Sequence, residues 1–215
     1  MPSASPADLD AVTVDAFGTL VELEDPVPRL RASLAERGIE REEPAVRRAF
    51  QAEVAFYVPR AHEGRDEVTL AALRRACAGV FLDAAGADID PGEFARPFVE
   101  ALSFRPASGA VEALDRLRGS GVALACVTNW DVGFPHYLER LGLADRFHAV
   151  VTSGEAGVPK PNPRIFELAL SRLGVEPART LHVGDGDADR EGAEAAGMRF
   201  APAPLGTLPD RLGLP

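Results

Sequence analysis

Cysteine is scarce in this 215-residue chain: only Cys77 and Cys126 are present, each inside an apolar stretch with no histidine or second cysteine at metal-ligand spacing. A cysteine-based metal site is therefore excluded, and two buried free thiols are expected. Basic residues are also in deficit, 23 Lys and Arg against 33 Asp and Glu, for a formal net charge of -10. That balance argues against a nucleic-acid or anionic-membrane surface, both of which need clustered cations. Any anionic substrate must be held by local groups. No apolar run approaches membrane-spanning length, and Met1 to Asp10 has neither the basic start nor the apolar core of a signal peptide. The expectation is a cytoplasmic protein acting on a small molecule, without nucleic-acid or membrane partners. Internal repeats and low-complexity segments are lacking too, and nothing specifies an oligomeric state.

What is present is enough apolar residue, 46% of the chain, for a packed core or for a core carrying a smaller insertion. Short apolar segments at Ala11 to Val14, Val122 to Val127, His148 to Val151, Thr180 to Val183 and Arg199 to Ala201 read as strands, and the continuous run before Thr128 suits a strand buried on both faces. Between them lie helical patterns at Ser108 to Arg118, Gly133 to Leu141, Pro163 to Leu173 and Arg190 to Ala196. This alternation predicts an α/β fold, a Rossmann-like parallel sheet with helices on both faces. The stretch from Glu22 to Arg105 breaks the pattern. It reads as helices at 29–37, 44–57, 67–85 and 91–102, the last capped by Asp90, with no strand among them. The expected organisation is a core of residues 1–21 and 106–215 with an all-helical insertion at 22–105, and an irregular end from Pro202 to Pro215.

Polar residues stand where the predicted strands end: Asp15, Thr128 with Asn129, Thr152 with Ser153, and Asp185, with Lys160 in a proline-flanked loop. A parallel sheet presents its sites at these carboxyl ends. Each residue alone could be a turn or cap. Together, a carboxylate, a hydroxyl and amide pair, a cation and a second acidic cluster suit phosphoryl transfer.

The order and spacing resemble the haloacid dehalogenase-like hydrolase superfamily over Ala11 to Met198. The motifs are Asp15-Ala-Phe-Gly-Thr-Leu20, Thr128-Asn129, Lys160, and Gly184-Asp185-Gly-Asp-Ala-Asp189, with the phrases Lys160-Pro-Asn-Pro-Arg-Ile-Phe166 and Gly192-Ala-Glu-Ala-Ala-Gly-Met198 around them. The resemblance implies a hydrolase with a helical cap inserted after the first motif. Asp15 would be the nucleophile, forming an aspartyl-phosphate that water hydrolyses. Lys160 would offset charge, and Thr128, Asn129 and Lys160 would bind the phosphate, with the amides of Asn129 and Trp130 as further donors. Mg²⁺ would be held by Asp15, the main-chain carbonyl of Phe17 and Asp185. Asp189 would be a ligand through water or an orienting group, and Asp187 a solvated turn residue. His136, Tyr137 and Trp130 are expected to pack the next helix or lie at the surface, and Arg60, His62 and Arg65 are weaker candidates for substrate contact from the insertion.

One position departs from that pattern. Phosphatases of this superfamily usually carry a second Asp two residues after the nucleophile as general acid and base, and here Phe17 stands there. Such proton transfer is worth about 10² to 10⁴ in rate, roughly 3 to 5 kcal/mol. The leading expectation is a Mg²⁺-dependent phosphatase of restricted activity on a small phosphorylated metabolite, a phosphate ester or acyl phosphate, confined to good leaving groups or drawing on Glu22, Glu24 or Asp131 as a substitute acid. An aromatic residue at this position also resembles the 2-haloacid dehalogenase branch, whereas the acidic fourth motif does not. A catalytically weak binding protein is the third reading.

Overall fold

The computed structural model describes residues 9–214. The first eight residues of the expected core segment and of the leader reading, together with Pro215, lie outside that range. Five parallel strands form the main sheet in the order β5-β4-β1-β6-β7: β1 (Ala11–Val14), β4 (Ala123–Thr128), β5 (Ala149–Thr152), β6 (Thr180–Gly184) and β7 (Arg199–Pro202). The chain leaves β1 toward β4 and β5, then returns across it to β6 and β7. This reversal of direction makes the carboxyl ends of β1, β4 and β6 a topological switch point.

Alternation along each strand divides the apolar residues between two layers. Val12, Val14, Leu124, Cys126, Leu181 and Val183 face a cluster that includes α5 (Ala110–Gly119) and α6 (Phe134–Arg140). Ala125, Val127 and Val151 face the other layer, where α8 (Arg164–Leu173) and α9 (Asp187–Ala195) contribute Ile165, Phe166 and Ala193. The α/β expectation therefore holds. Both cysteines are buried and free.

Residues 27–101 supply four helices, α1 (Val27–Ala35), α2 (Glu43–Tyr57), α3 (Glu67–Ala85) and α4 (Pro91–Ala101), around a separate apolar cluster. Phe81 stacks on Phe94 with centroids 5.8 Å apart and tilts against Phe98 at 5.2 Å. Asp66 caps α3 by accepting from Thr69 N, and Asp90 caps α4 by accepting from the amides of Gly92 and Glu93.

Three expectations are corrected. The stretch 22–105 is not free of strand, because β2 (Val21–Leu23) pairs antiparallel with β3 (Phe104–Pro106) where the chain leaves and re-enters the core. Three-residue strands carry no legible alternation. The end of the chain is not irregular: a short 3₁₀ turn at Leu205–Thr207 and α10 (Leu208–Arg211) bury Leu205 and Leu208 in the core cluster that includes α5. Finally, α9 begins at Asp187 rather than Arg190, and the two acidic residues in its first turn complement the helix dipole. The chain also forms a four-residue helix α7 (Ser153–Ala156) directly after β5. No helix among the described residues is long and apolar enough to cross a membrane.

Candidate active site

Asp15 follows β1, the central strand, and its amide donates to Val183 O at 2.8 Å. Strand pairing thus fixes the residue beside the end of β6, which delivers Asp185. Asp15 is buried and Asp185 exposed, and with Asp189 they bring carboxylate oxygens within 4.8 Å of one another. Gly18, at φ +83°, makes this approach possible, because a Cβ there would collide with Asp185 Oδ2. The nearby Thr19 hydroxyl is buried without a partner.

Lys160 reaches into this group from the loop before α8. Its Nζ donates to Asp15 Oδ1 at 2.5 Å, to Asp189 Oδ1 at 2.5 Å and to Val127 O at 3.2 Å. All three ammonium protons are therefore placed. Burial pushes the Asp15 carboxyl above its ordinary range, against the pull of Lys160, with the neighbouring Asp189 and Asp185 adding to the rise. Asp189 is also desolvated, yet His182 and Lys160 together hold it below the ordinary range.

His182 is a member of this network that sequence reasoning missed. Its Nε2 lies 3.0 Å from Asp189 Oδ1 and its Nδ1 lies 2.8 Å from Thr13 Oγ1. Because a carboxylate only accepts, Nε2 carries the proton and Nδ1 accepts from the Thr13 hydroxyl. Burial keeps the ring's pKa below the usual value despite Asp189. Thr13 and His182 are register partners on β1 and β6. The available signal was a lone histidine and a lone threonine inside otherwise apolar strands.

At the end of β4, Thr128 is buried and lines the same cavity as Asp15. Asn129 has a different geometry from a simple phosphate donor: its Oδ1 accepts from Lys160 N at 2.7 Å and its Nδ2 donates to Lys160 O at 3.2 Å. The Trp130 amide is taken by Thr128 O at 3.0 Å. Trp130 and Tyr137 pack with Phe104 and also line the cavity, while His136 is exposed beside Glu139. Asp187 is exposed and paired with Arg190 at 3.0 Å, solvated as expected but at the start of α9 rather than in a turn.

The cavity over Asp15 has a volume of about 330 Å³ and is walled in part by the helical segment, which contributes Phe50, Glu53, Val54, Tyr57, Leu73 and Phe98 among others. Phe17 lines it with 53% of its surface exposed. Arg60, His62 and Arg65 do not; they border a second, more open cavity of about 640 Å³. Of the three carboxylates considered as substitute acids, Glu22 is paired with Arg105 and Glu24 with Arg29, both outside the Asp15 cavity. Asp131 does line it. Its Oδ2 accepts from Tyr57 O–H at 2.8 Å and its Oδ1 from Gly133 N at 2.8 Å.

The donor set suits a hard divalent cation. It is all oxygen, and no described hydrogen bond occupies the Asp185 carboxylate, which stands in the space that Gly18 leaves by lacking a side chain. Asp189 is less available, since Lys160 and His182 hold Oδ1 and Gly186 N donates to Oδ2 at 3.2 Å.

Comparison with known proteins accords with this arrangement. The family model of the haloacid dehalogenase-like hydrolases matches residues 9–197. The chain is 42% identical over 107 residues to haloacid dehalogenase-like hydrolase domain-containing protein 3 of Mus musculus, covering 49% of this chain and 41% of that protein. It is 43% identical over 101 residues to glyceraldehyde 3-phosphate phosphatase of Methanopyrus kandleri, covering 44% and 41%. The matched part is thus about two-fifths of these relatives' length. Among solved structures, L-2-haloacid dehalogenase from Xanthobacter autotrophicus superposes with a TM-score of 0.66 at 26% identity, covering 91% of this chain and 77% of that one. With a matched family model over nearly its whole length and a parallel sheet that brings the motif residues together, the chain belongs to the haloacid dehalogenase-like hydrolases.

Proposed function

We propose that this hydrolase is a magnesium-dependent phosphatase acting on a small phosphorylated metabolite through Asp15. The observation that carries the proposal is the convergence of Asp15, Asp185 and Asp189 within 4.8 Å of one another, with the Lys160 ammonium bound to Asp15 and Asp189. In this reading Asp15 attacks phosphorus as its bond to the leaving oxygen breaks, and water then hydrolyses the aspartyl-phosphate and restores the carboxylate. Lys160 holds the attacking carboxylate in place and offsets its charge, while the Thr128 hydroxyl donates to a phosphate oxygen. Asp15, Asp185 and the main-chain carbonyl of Phe17 would hold Mg²⁺, which offsets the repulsion between a carboxylate and a phosphate dianion. Asp189, already occupied on both oxygens, orients Lys160 rather than binding the ion directly. The helical segment 22–105 serves as the cap, and its position over the cavity supports that role.

Phe17 supplies no proton, and both Asp131 oxygens are already accepting hydrogen bonds. Turnover is therefore confined to leaving groups that depart with little protonation. Phosphate release that stops on chelating divalent cations and is lost in Asp15→Asn supports the proposal; release that survives both defeats it.

A second reading is favoured by one feature, the aromatic Phe17 beside an apolar cavity. It makes the chain a 2-haloacid dehalogenase in which Asp15 displaces halide from carbon. The Asp185 carboxylate weighs against it, since it would repel a haloacid carboxylate in the absence of a cation. Metal-independent chloride release from 2-chloropropionate decides for this second reading.

A further inference from the structure

We infer that the leaving group this site takes is small and apolar, and that the fitting substrate class is a phosphate monoester of a small phenol. The inference rests on the phosphatase reading above and adds the identity of the alcohol side.

Two independent features of the cavity lead there. Its walls beyond the carboxylates are mainly hydrocarbon, from Phe50, Leu73, Phe98, Val99, Leu102 and Phe104. Four large apolar side chains are exposed among the described residues, and three of them, Phe17, Val54 and Val58, line this one cavity. Exposed apolar surface concentrated in one concave place marks a binding site rather than scatter.

Three polar groups in the walls are engaged with neighbours, and the Arg74 guanidinium, which also lines the cavity, faces the charge of Asp131. Tyr57 donates to Asp131, Asp131 accepts from Gly133 N, and Glu53 is hydrogen-bonded to Cys77. A polyhydroxylated leaving group would lose its water and find few free partners, which costs binding for each unpaired hydroxyl.

The second feature is chemical. With Phe17 where an acid would stand, a basic alkoxide leaves slowly, whereas a phenolate leaves without a full proton transfer. Apolar walls and a missing acid therefore select the same partner from different directions, one through binding and one through chemistry.

The test is a matched panel with Mg²⁺ present. Phenyl phosphate and benzyl phosphate are similar in size but differ in leaving-group basicity; 2-methylbutyl phosphate and glycerol 3-phosphate are isosteric but differ by two hydroxyls. The expected kcat falls by about 10²-fold or more from phenyl to benzyl phosphate. As competitive inhibitors of phenyl phosphate turnover, 2-methylbutyl phosphate should bind about 10²-fold more tightly than glycerol 3-phosphate. Val54→Asn, at a partly exposed wall position, should raise KM for phenyl phosphate about tenfold without moving inhibition by inorganic phosphate. Equal or tighter binding of glycerol 3-phosphate, with phosphate still released from phenyl phosphate, overturns the inference and leaves the phosphatase reading standing. No phosphate release from any ester, with no inhibition or stabilisation by inorganic phosphate, overturns that reading and the inference with it.

Discussion

Asn129 and Lys160 are joined twice, side-chain amide to main chain: Asn129 Oδ1 accepts from Lys160 N at 2.7 Å and Asn129 Nδ2 donates to Lys160 O at 3.2 Å. The end of β4 thereby holds the loop that carries the buried ammonium. Asn129→Ala should lower kcat by about 10²-fold with little change in KM, because a small misplacement of a charge-bearing group affects the reacting geometry most. Steady-state kinetics on phenyl phosphate make the separation, and a rise confined to KM would instead make Asn129 a simple substrate contact.

Removing the ammonium itself should unfold as well as inactivate. Lys160→Met leaves Asp15 and Asp189 buried without their cation, a loss expected to cost about 3 to 5 kcal/mol. Arg96→Ala, which breaks an exposed pair with Glu100, should cost no more than about 1 kcal/mol. Urea unfolding of both variants, compared with the parent, checks the contrast.

Glu53 is a buried carboxyl outside the proposed chemistry, raised by desolvation from 4.5 to about 7 while its hydrogen bond to Cys77 pulls the other way. A group whose pKa rises on folding contributes stability that is complete below the unfolded value and lost as pH climbs through the folded one. The gap corresponds to roughly 3 kcal/mol. The parent protein should therefore lose about 2.5 kcal/mol more stability than Glu53→Gln between pH 5 and pH 8, the rest of the gap falling below pH 5. Equal losses in both proteins would assign the pH dependence to other groups.

Phe17→Asp should restore proton transfer to the leaving oxygen. Turnover of benzyl phosphate is expected to rise by about 10²-fold in a folded, magnesium-bound variant, with a smaller gain on phenyl phosphate. An equal gain on both esters, or none, would mean that position 17 is not where the acid is missing.

Much of this was legible in the sequence for physical reasons. Val122 to Val127 is apolar on both faces because the strand it enters is covered on both faces, so its run was unmistakable. Asp15, Lys160 and Asp185 were found because each stands at a strand end or loop where a parallel sheet exposes chemistry. What escaped depended on pairing at long range. The β2–β3 pair is too short to show a period, and Leu205 and Leu208 gain their burial only from α5 and its neighbours. His182 gave no sign of its bond to Asp189, since that bond follows from the path of the chain out of β6 into α9. Arg60, His62 and Arg65 were plausible by charge and fell at a different cavity, because the 3₁₀ turn at Val58–Glu63 and the loop after it carry them past the site.

Acid quenching during turnover of phenyl phosphate with Mg²⁺ asks directly whether Asp15 is the nucleophile of a phosphatase. Mass spectrometry of the digested protein should find one phosphoryl group on the peptide containing Asp15, absent when divalent cations are chelated and absent in Asp15→Asn. Undiminished phosphate release by Asp15→Asn would rule Asp15 out as the nucleophile.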